Sequence, residues 1–165
     1  MATYDLKPEM SANEITDAVI PQLEAGKFDV VIMNYANADM VGHTGKFEPT
    51  VTGIEVVDKC LGRVVATTLS MNGTVLVTAD HGNGEEMVNP ATGETDKEHS
   101  AYPVPLLVIG KNFERKNISE CTQMQGPMIP PPTGVLGDIA PTMLEILGIP
   151  KPLEMTGVSL IQTVE

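Results

Sequence analysis

The chain has 165 residues, a hydrophobic fraction of 42% and a formal net charge of −12. That length suits one domain with a real core, and the acidic balance argues against a polyanion such as nucleic acid as a partner. No apolar run approaches the roughly 20 residues that span a bilayer, Met1–Lys7 lacks the basic start and apolar stretch of a secretory signal, and Cys60 and Cys121 make no disulfide framework, so a cytoplasmic location is expected.

Residues 11 to 25 read as a helix. Ser11 and Glu14 have capping-box spacing, and Ile15, Ala18, Val19 and Leu23 recur at helical spacing. Pro21 should kink or shorten this helix, and Gly26 should stop it. Val30–Met33 is a continuous apolar run, which suits a strand buried on both faces of a parallel sheet. A second helix is expected from Glu48 to Ser70, with Val51, Ile54, Val57, Leu61, Val64, Val65 and Leu69 as its apolar stripe and Asn72-Gly73 at its end. Thr74–Thr78 is the next buried strand, and Val104–Ile109, closed by Gly110, is a third. Residues 111 to 135 are irregular, with Pro127, Pro130, Pro131 and Pro132. A last helix runs from Gly137 to Leu147, with Asp138 near its start, Pro141 in its first turn and Gly148 past its end. Strands alternating with helices predict an α/β fold with a mostly parallel sheet flanked by helices.

Each of the three histidines sits near an acid, in Asp39-Met40-Val41-Gly42-His43, Asp80-His81 and Glu98-His99, and the first two follow a hydrophobic run while no strand immediately precedes His99. Imidazole and carboxylate together suit a divalent transition ion. In open α/β sheets ligands bind beyond the carboxyl ends of the strands, so the Asp39 and Asp80 motifs should meet at one end of the sheet. A turn at Asp39–Gly42 would let Asp39 and His43 reach one ion, with His99 completing the set, and Gly82 would let Asp80 and His81 converge. Two ions roughly 3.5–4 Å apart would make a phosphoryl-transfer or hydrolytic site. The absence of a nearby cysteine argues against structural zinc. Gly42–Lys46 is not a P-loop, because Met40 stands at the first glycine position and Phe47 at the Ser/Thr position.

These stretches carry a resemblance. Ala2–Ala12, Asn34–Gly45, Thr78–Asn83, His99–Pro105, Gly137–Thr142 and Glu154–Gly157 together resemble the C-terminal part of the phosphatase domain of a cofactor-independent (2,3-bisphosphoglycerate-independent) phosphoglycerate mutase, in the alkaline phosphatase superfamily. Gly84 stands where that family often has alanine. The resemblance implies an alkaline-phosphatase-like domain, incomplete relative to the full family domain, that binds two divalent metal ions. These would be manganese, or magnesium or another divalent ion. Asp39, His43 and His99 would hold one ion, and Asp80 and His81 the other.

It also implies the glycolytic interconversion of 3-phosphoglycerate and 2-phosphoglycerate, in which a serine takes and returns the phosphoryl group while metals offset its charge. The nucleophilic serine, a further metal-binding aspartate, a lysine and the substrate-binding transferase domain belong to family segments without a counterpart here. Ser11, Ser70, Ser100, Ser119 and Ser159 match none of them, and Arg63 and Arg115 are the only arginines. The expectation is therefore a metal-binding fragment, inactive alone, with phosphoglycerate as substrate only when completed by the missing part. An exposed sheet edge should favour self-association. A non-catalytic binding or assembly module and a stand-alone metal-dependent phosphatase stay open.

Overall fold

A computed structural model describes residues 3–89, 91–114 and 132–161. In its N-terminal half α1 (Ala12–Glu24) packs along α3 (Phe47–Ser70), and a short α2 (Asn37–Gly42) packs on α3 as well. Both long helices fall where apolar spacing predicts them. The expected capping box is not formed: Ser11 has ψ 23° instead of extended backbone, and its side chain makes no capping bond. The cause is the entry turn, in which Met10 takes φ 46° and the Ala12 N–H donates to the Glu9 carbonyl at 3.1 Å. Pro21 is tolerated because only the last turn of α1 follows it, and its carbonyl still accepts from the Ala25 N–H at 3.1 Å.

The core lies where α1, α2 and the loop before α1 meet one side of α3. Val41 is fully buried there, with Ala12, Cys60 and Val64. Gly53 lets α2 approach α3, since a Cβ on it would lie 3.3 Å from the Pro8 carbonyl and 3.6 Å from Val41 Cγ2. Among the described residues the buried side-chain polar atoms are all partnered. Asn37 donates to the Pro8 and Glu9 carbonyls at 2.8 and 2.9 Å, and Thr16 donates to the Ala12 carbonyl and shares a 2.6 Å bond with the Tyr35 hydroxyl. Burial pushes the Tyr35 phenol above its ordinary value, against the Thr16 bond. This corrects the expected stripe of α3. Its buried line is Thr50, Gly53, Cys60 and Val64, so of the predicted residues only Val64 is fully buried, and Ile54 is exposed. Small side chains face the neighbouring helices, because those helices approach too closely for large ones.

The sheet also departs from expectation. β1 (Val75–Thr78) and β2 (Leu106–Ile109) form where strands are predicted, but they pair antiparallel, Val75 opposite Ile109 and Thr78 opposite Leu106. Parallel pairing needs a crossover, usually a helix. Here the connecting segment folds back on itself instead, through antiparallel bridges at Gly82–Ser100 and Val88–Thr95. Neither strand has a fully buried residue. Val30–Met33 joins no ladder among the described residues, and Ile32 is 84% exposed. The α/β character stands, as helices with a small sheet. No helix among the described residues is long and apolar enough to cross a membrane. Most of the stretch expected to be irregular, including Pro127, Pro130 and Pro131, lies outside the described residues, as do Arg115 and Cys121.

α4 (Ile139–Ile146) follows a 3-10 turn at Leu136–Asp138, close to its predicted span. Buried Asp138 ties this region together. Its two carboxylate oxygens accept the N–H groups of Val135 and Val158, each at 2.9 Å, and Thr142 donates to the Asp138 carbonyl while accepting from the Leu160 N–H. The Val135 and Val158 bonds favour the charged form and hold the carboxyl below the ordinary aspartate value. A folded-state value below the unfolded one gives stability that is complete above the ordinary carboxylate range and lost as pH falls through the lowered value. Asp138→Ala should therefore melt at a lower temperature than wild type at neutral pH. The gap should close below about pH 4, as read by melts across a pH series.

Candidate metal centre

α2 supplies the first pair of side chains. Its residues Asn37, Val41 and Gly42 are buried against the core, which turns Asp39 toward the open side. His43 follows one turn later, with its N–H on the Asp39 carbonyl at 3.0 Å and its Nε2 3.2 Å from Asp39 Oδ1. Residues four apart share a helix face, so the expected turn at Asp39–Gly42 is a real helix and it delivers the pair. The other ring nitrogen of His43 is 2.5 Å from the Lys97 carbonyl. A carbonyl can only accept, so Nδ1 carries the proton there and Nε2 offers a lone pair.

The folded-back segment supplies the rest. The Gly82–Ser100 bridge sets His81 beside His99, and their rings stack with centroids 3.7 Å apart. His99 Nε2 lies 3.0 Å from His43 Nε2 and 3.2 Å from Asp39 Oδ1. Asp39, His43 and His99 thus converge as the sequence predicts, on one small triangle of donor atoms. His81 stands next to it, its Nε2 3.9 Å from Asp39 Oδ1 and 3.7 Å from Asp80 Oδ1. Asp80 is on the solvent side, with its side chain 86% exposed. Among the described residues no third acid, histidine or cysteine joins Asp80 and His81 in a cluster of their own.

Other side chains hold the loops in place. Asn83 Nδ2 donates to Asp39 Oδ1 at 3.0 Å, and the Asn83 N–H donates to Glu85 Oε2 at 2.8 Å. The Ser100 hydroxyl donates to Glu85 Oε1. Burial pushes the Glu85 carboxyl up, but the bonds from Ser100, from its own N–H and from Asn83, with His81 acting in the same direction, leave it below the ordinary range. Sequence reasoning gave Asn83, Glu85 and the Lys97 carbonyl no part. Asn83 and Glu85 flank Gly84 just beyond His81, which is the one signal available for them. A backbone carbonyl leaves none.

The donor set fits a divalent cation. Two imidazole nitrogens and a carboxylate oxygen, with no thiolate among them, suit a transition ion. Two donors bound at about 2.0–2.2 Å to one ion stand roughly 3 Å apart, which is the spacing found. The centre lies at the surface between two open cavities. One, of about 670 Å³, is lined by Tyr35, Asp39, Ile54, Asp80, His81 and Asn83. The other, of about 540 Å³, is lined by Tyr4, His43, Thr44, Lys46 and Lys97. Lys46 is engaged with the Asp5 carboxylate, whose bond to it at 2.5 Å holds Asp5 below its ordinary value.

Comparison with known proteins identifies the family and the fold. The sequence profile of the Metalloenzyme superfamily matches residues 1–151. A 2,3-bisphosphoglycerate-independent phosphoglycerate mutase of Methanosarcina barkeri is 52% identical over 161 residues, covering 98% of this chain and 28% of that protein. One from Clostridium kluyveri is 49% identical over 162 residues, with 98% and 29% covered. A crystal structure of Leishmania mexicana phosphoglycerate mutase at low cobalt concentration superimposes with TM-score 0.78 and 29% identity, over 95% of this chain and 29% of that one. The chain therefore spans less than a third of these relatives and shares the fold of that part, a portion of an alkaline-phosphatase-like domain.

Calorimetric titration with Mn2+ is expected to show one dominant binding event. His43→Ala and His99→Ala should each weaken it by more than about tenfold, whereas His81→Ala should leave it measurable. Two equally tight events in wild type would contradict the asymmetry between the clusters.

Proposed function

Because the chain belongs to the Metalloenzyme superfamily, we propose that it is the C-terminal metal-binding portion of the phosphatase domain of a cofactor-independent phosphoglycerate mutase. In this reading Asp39, His43 and His99 hold one divalent ion, and Asp80 and His81 lend two donors to a second. Manganese is the ion proposed, with magnesium or another divalent ion as the alternative. The complete enzyme would interconvert 3-phosphoglycerate and 2-phosphoglycerate in glycolysis, in the cytoplasm, through a phosphoserine whose serine is not in this chain. The observation that carries the reading is the convergence of three donor atoms 3.0–3.2 Å apart, in a chain about half identical to such mutases along nearly its whole length.

Divalent ions at such a site supply positive charge that favours an ionised hydroxyl nucleophile and offsets the charge of a transferring phosphoryl group. This chain's residues do the holding. Lys97 keeps the His43 proton on Nδ1, so Nε2 stays a donor atom. The stacked His81 and His99 rings fix each other's planes. The open cavity beside Asp80 and His81 gives a phosphorylated substrate room to approach. Clamps for the substrate's own anionic groups are few among the described residues. Arg63 is paired with Asp17 at 2.6 Å, and Lys46 with Asp5. In this reading most of the strong phosphate contacts that arginine provides come from another part of the enzyme, and the chain alone is expected to be inactive. With 3-phosphoglycerate and Mn2+, purified chain should give no 2-phosphoglycerate in a coupled assay. Mutase turnover by clean protein would overturn the assignment as a fragment, and phosphate release without isomerisation would mark a stand-alone phosphatase.

The exposed apolar run at Val30–Ile32 supports a second aspect, an assembly role. Contiguous exposed apolar surface and open strand edges seek partners. The isolated chain is expected to self-associate, with a sedimentation coefficient that rises with concentration. A single monomeric species at high concentration would count against this.

A further inference from the structure

Asn83 belongs to neither proposed ligand set, yet it is only 6% exposed and meets the atom at the middle of the site. Its Nδ2 donates at 3.0 Å to Asp39 Oδ1. That oxygen also stands 3.2 Å from Nε2 of both His43 and His99, and 3.9 Å from Nε2 of His81. A carboxylate oxygen accepts along two lone-pair directions. With one taken by the Asn83 amide, rotation of the Asp39 carboxylate breaks a partly buried bond, and the other direction is left to a cation.

Asn83 is itself pinned. Its N–H is held by Glu85, and the other oxygen of Glu85 accepts from Ser100, the neighbour of His99. The short segment His81–Glu85 therefore touches the centre at three points: His81 directly, Asp39 through Asn83, and the His99 loop through Glu85 and Ser100. Partners of this kind orient metal ligands, and their loss typically costs about 10–100-fold in affinity.

We infer that Asn83 is the positioning residue that fixes Asp39 as a metal ligand, and that the His81–Glu85 turn thereby ties the geometry of one cluster to that of the other. The inference rests on the metal reading proposed above. It is tested by titrating the full chain with Zn2+ alone, comparing wild type, Asn83→Leu, Asp39→Ala and the double variant, with far-UV spectra of the metal-free proteins as the control for folding. Leucine keeps the branched heavy-atom skeleton of asparagine, though it is bulkier, and removes the donor.

The dissociation constant for the tighter event should rise by about 10–100-fold in Asn83→Leu. In the Asp39→Ala background the same change should add no further loss, because its effect passes through Asp39. Binding by Asn83→Leu within threefold of wild type, or an equal loss in both backgrounds, would overturn the inference. Absence of Zn2+ binding by wild type would instead sink the metal reading itself. Should Asn83→Leu not fold, Gly42→Ala takes its place, since a Cβ on Gly42 would stand well inside contact distance of Oδ1 of Asn83 and forces a shift of the amide that Asp39 accepts from. Weaker binding then supports the inference and unchanged affinity overturns it.

Discussion

The antiparallel bridge between Gly82 and Ser100 is the constraint on which the centre depends. It lies beyond the β1–β2 ladder and holds two loop segments together where no regular strand remains. Through it His81 and His99, 18 positions apart in the numbering, become stacked neighbours. The Lys97 carbonyl then accepts the Nδ1–H of His43, which joins this pair to α2. Without the fold-back, Asp39 and His43 would be an isolated pair on a short helix.

The same bridge explains where sequence and structure part. Hydrophobic spacing located α1, α3, α4, β1 and β2 within a few residues, because each is a run long enough for its period to register. Strand direction was not readable. It follows from how residues 79–105 return, and their returning bridges are isolated pairs without a periodic pattern. α2 was anticipated only as a turn, since six residues including Asn37, Asp39 and Gly42 carry little helix propensity and are held helical by packing on α3. Val30–Met33 has the composition of a buried strand, but a strand needs a partner to hydrogen-bond, and none is present among the described residues.

At the site, the chemistry-bearing side chains were readable and their supports were not. Asp39, His43 and His99 stand out as ligand-type residues in acid–histidine stretches, and the structure brings the three together. Asn83 and Glu85 look like ordinary loop residues until their bonds are seen. The grip of Lys97 on His43 is made by its backbone, which is the same in every amino acid. Asp80 and His81 are adjacent as read, but they form the sparser of the two clusters.

The outer end of the fold-back has a consequence of its own. Beyond the Gly82–Ser100 bridge the chain continues to the Val88–Thr95 bridge and a reversal in which the Asn89 N–H meets the Glu94 carbonyl at 2.9 Å. This tip carries none of the five candidate ligands, and the inner bridge sets their spacing before the tip is reached. A residue added within the reversal between the two sides of the Val88–Thr95 bridge would therefore lengthen the tip alone, while the inner bridge keeps the five donor side chains at their spacing.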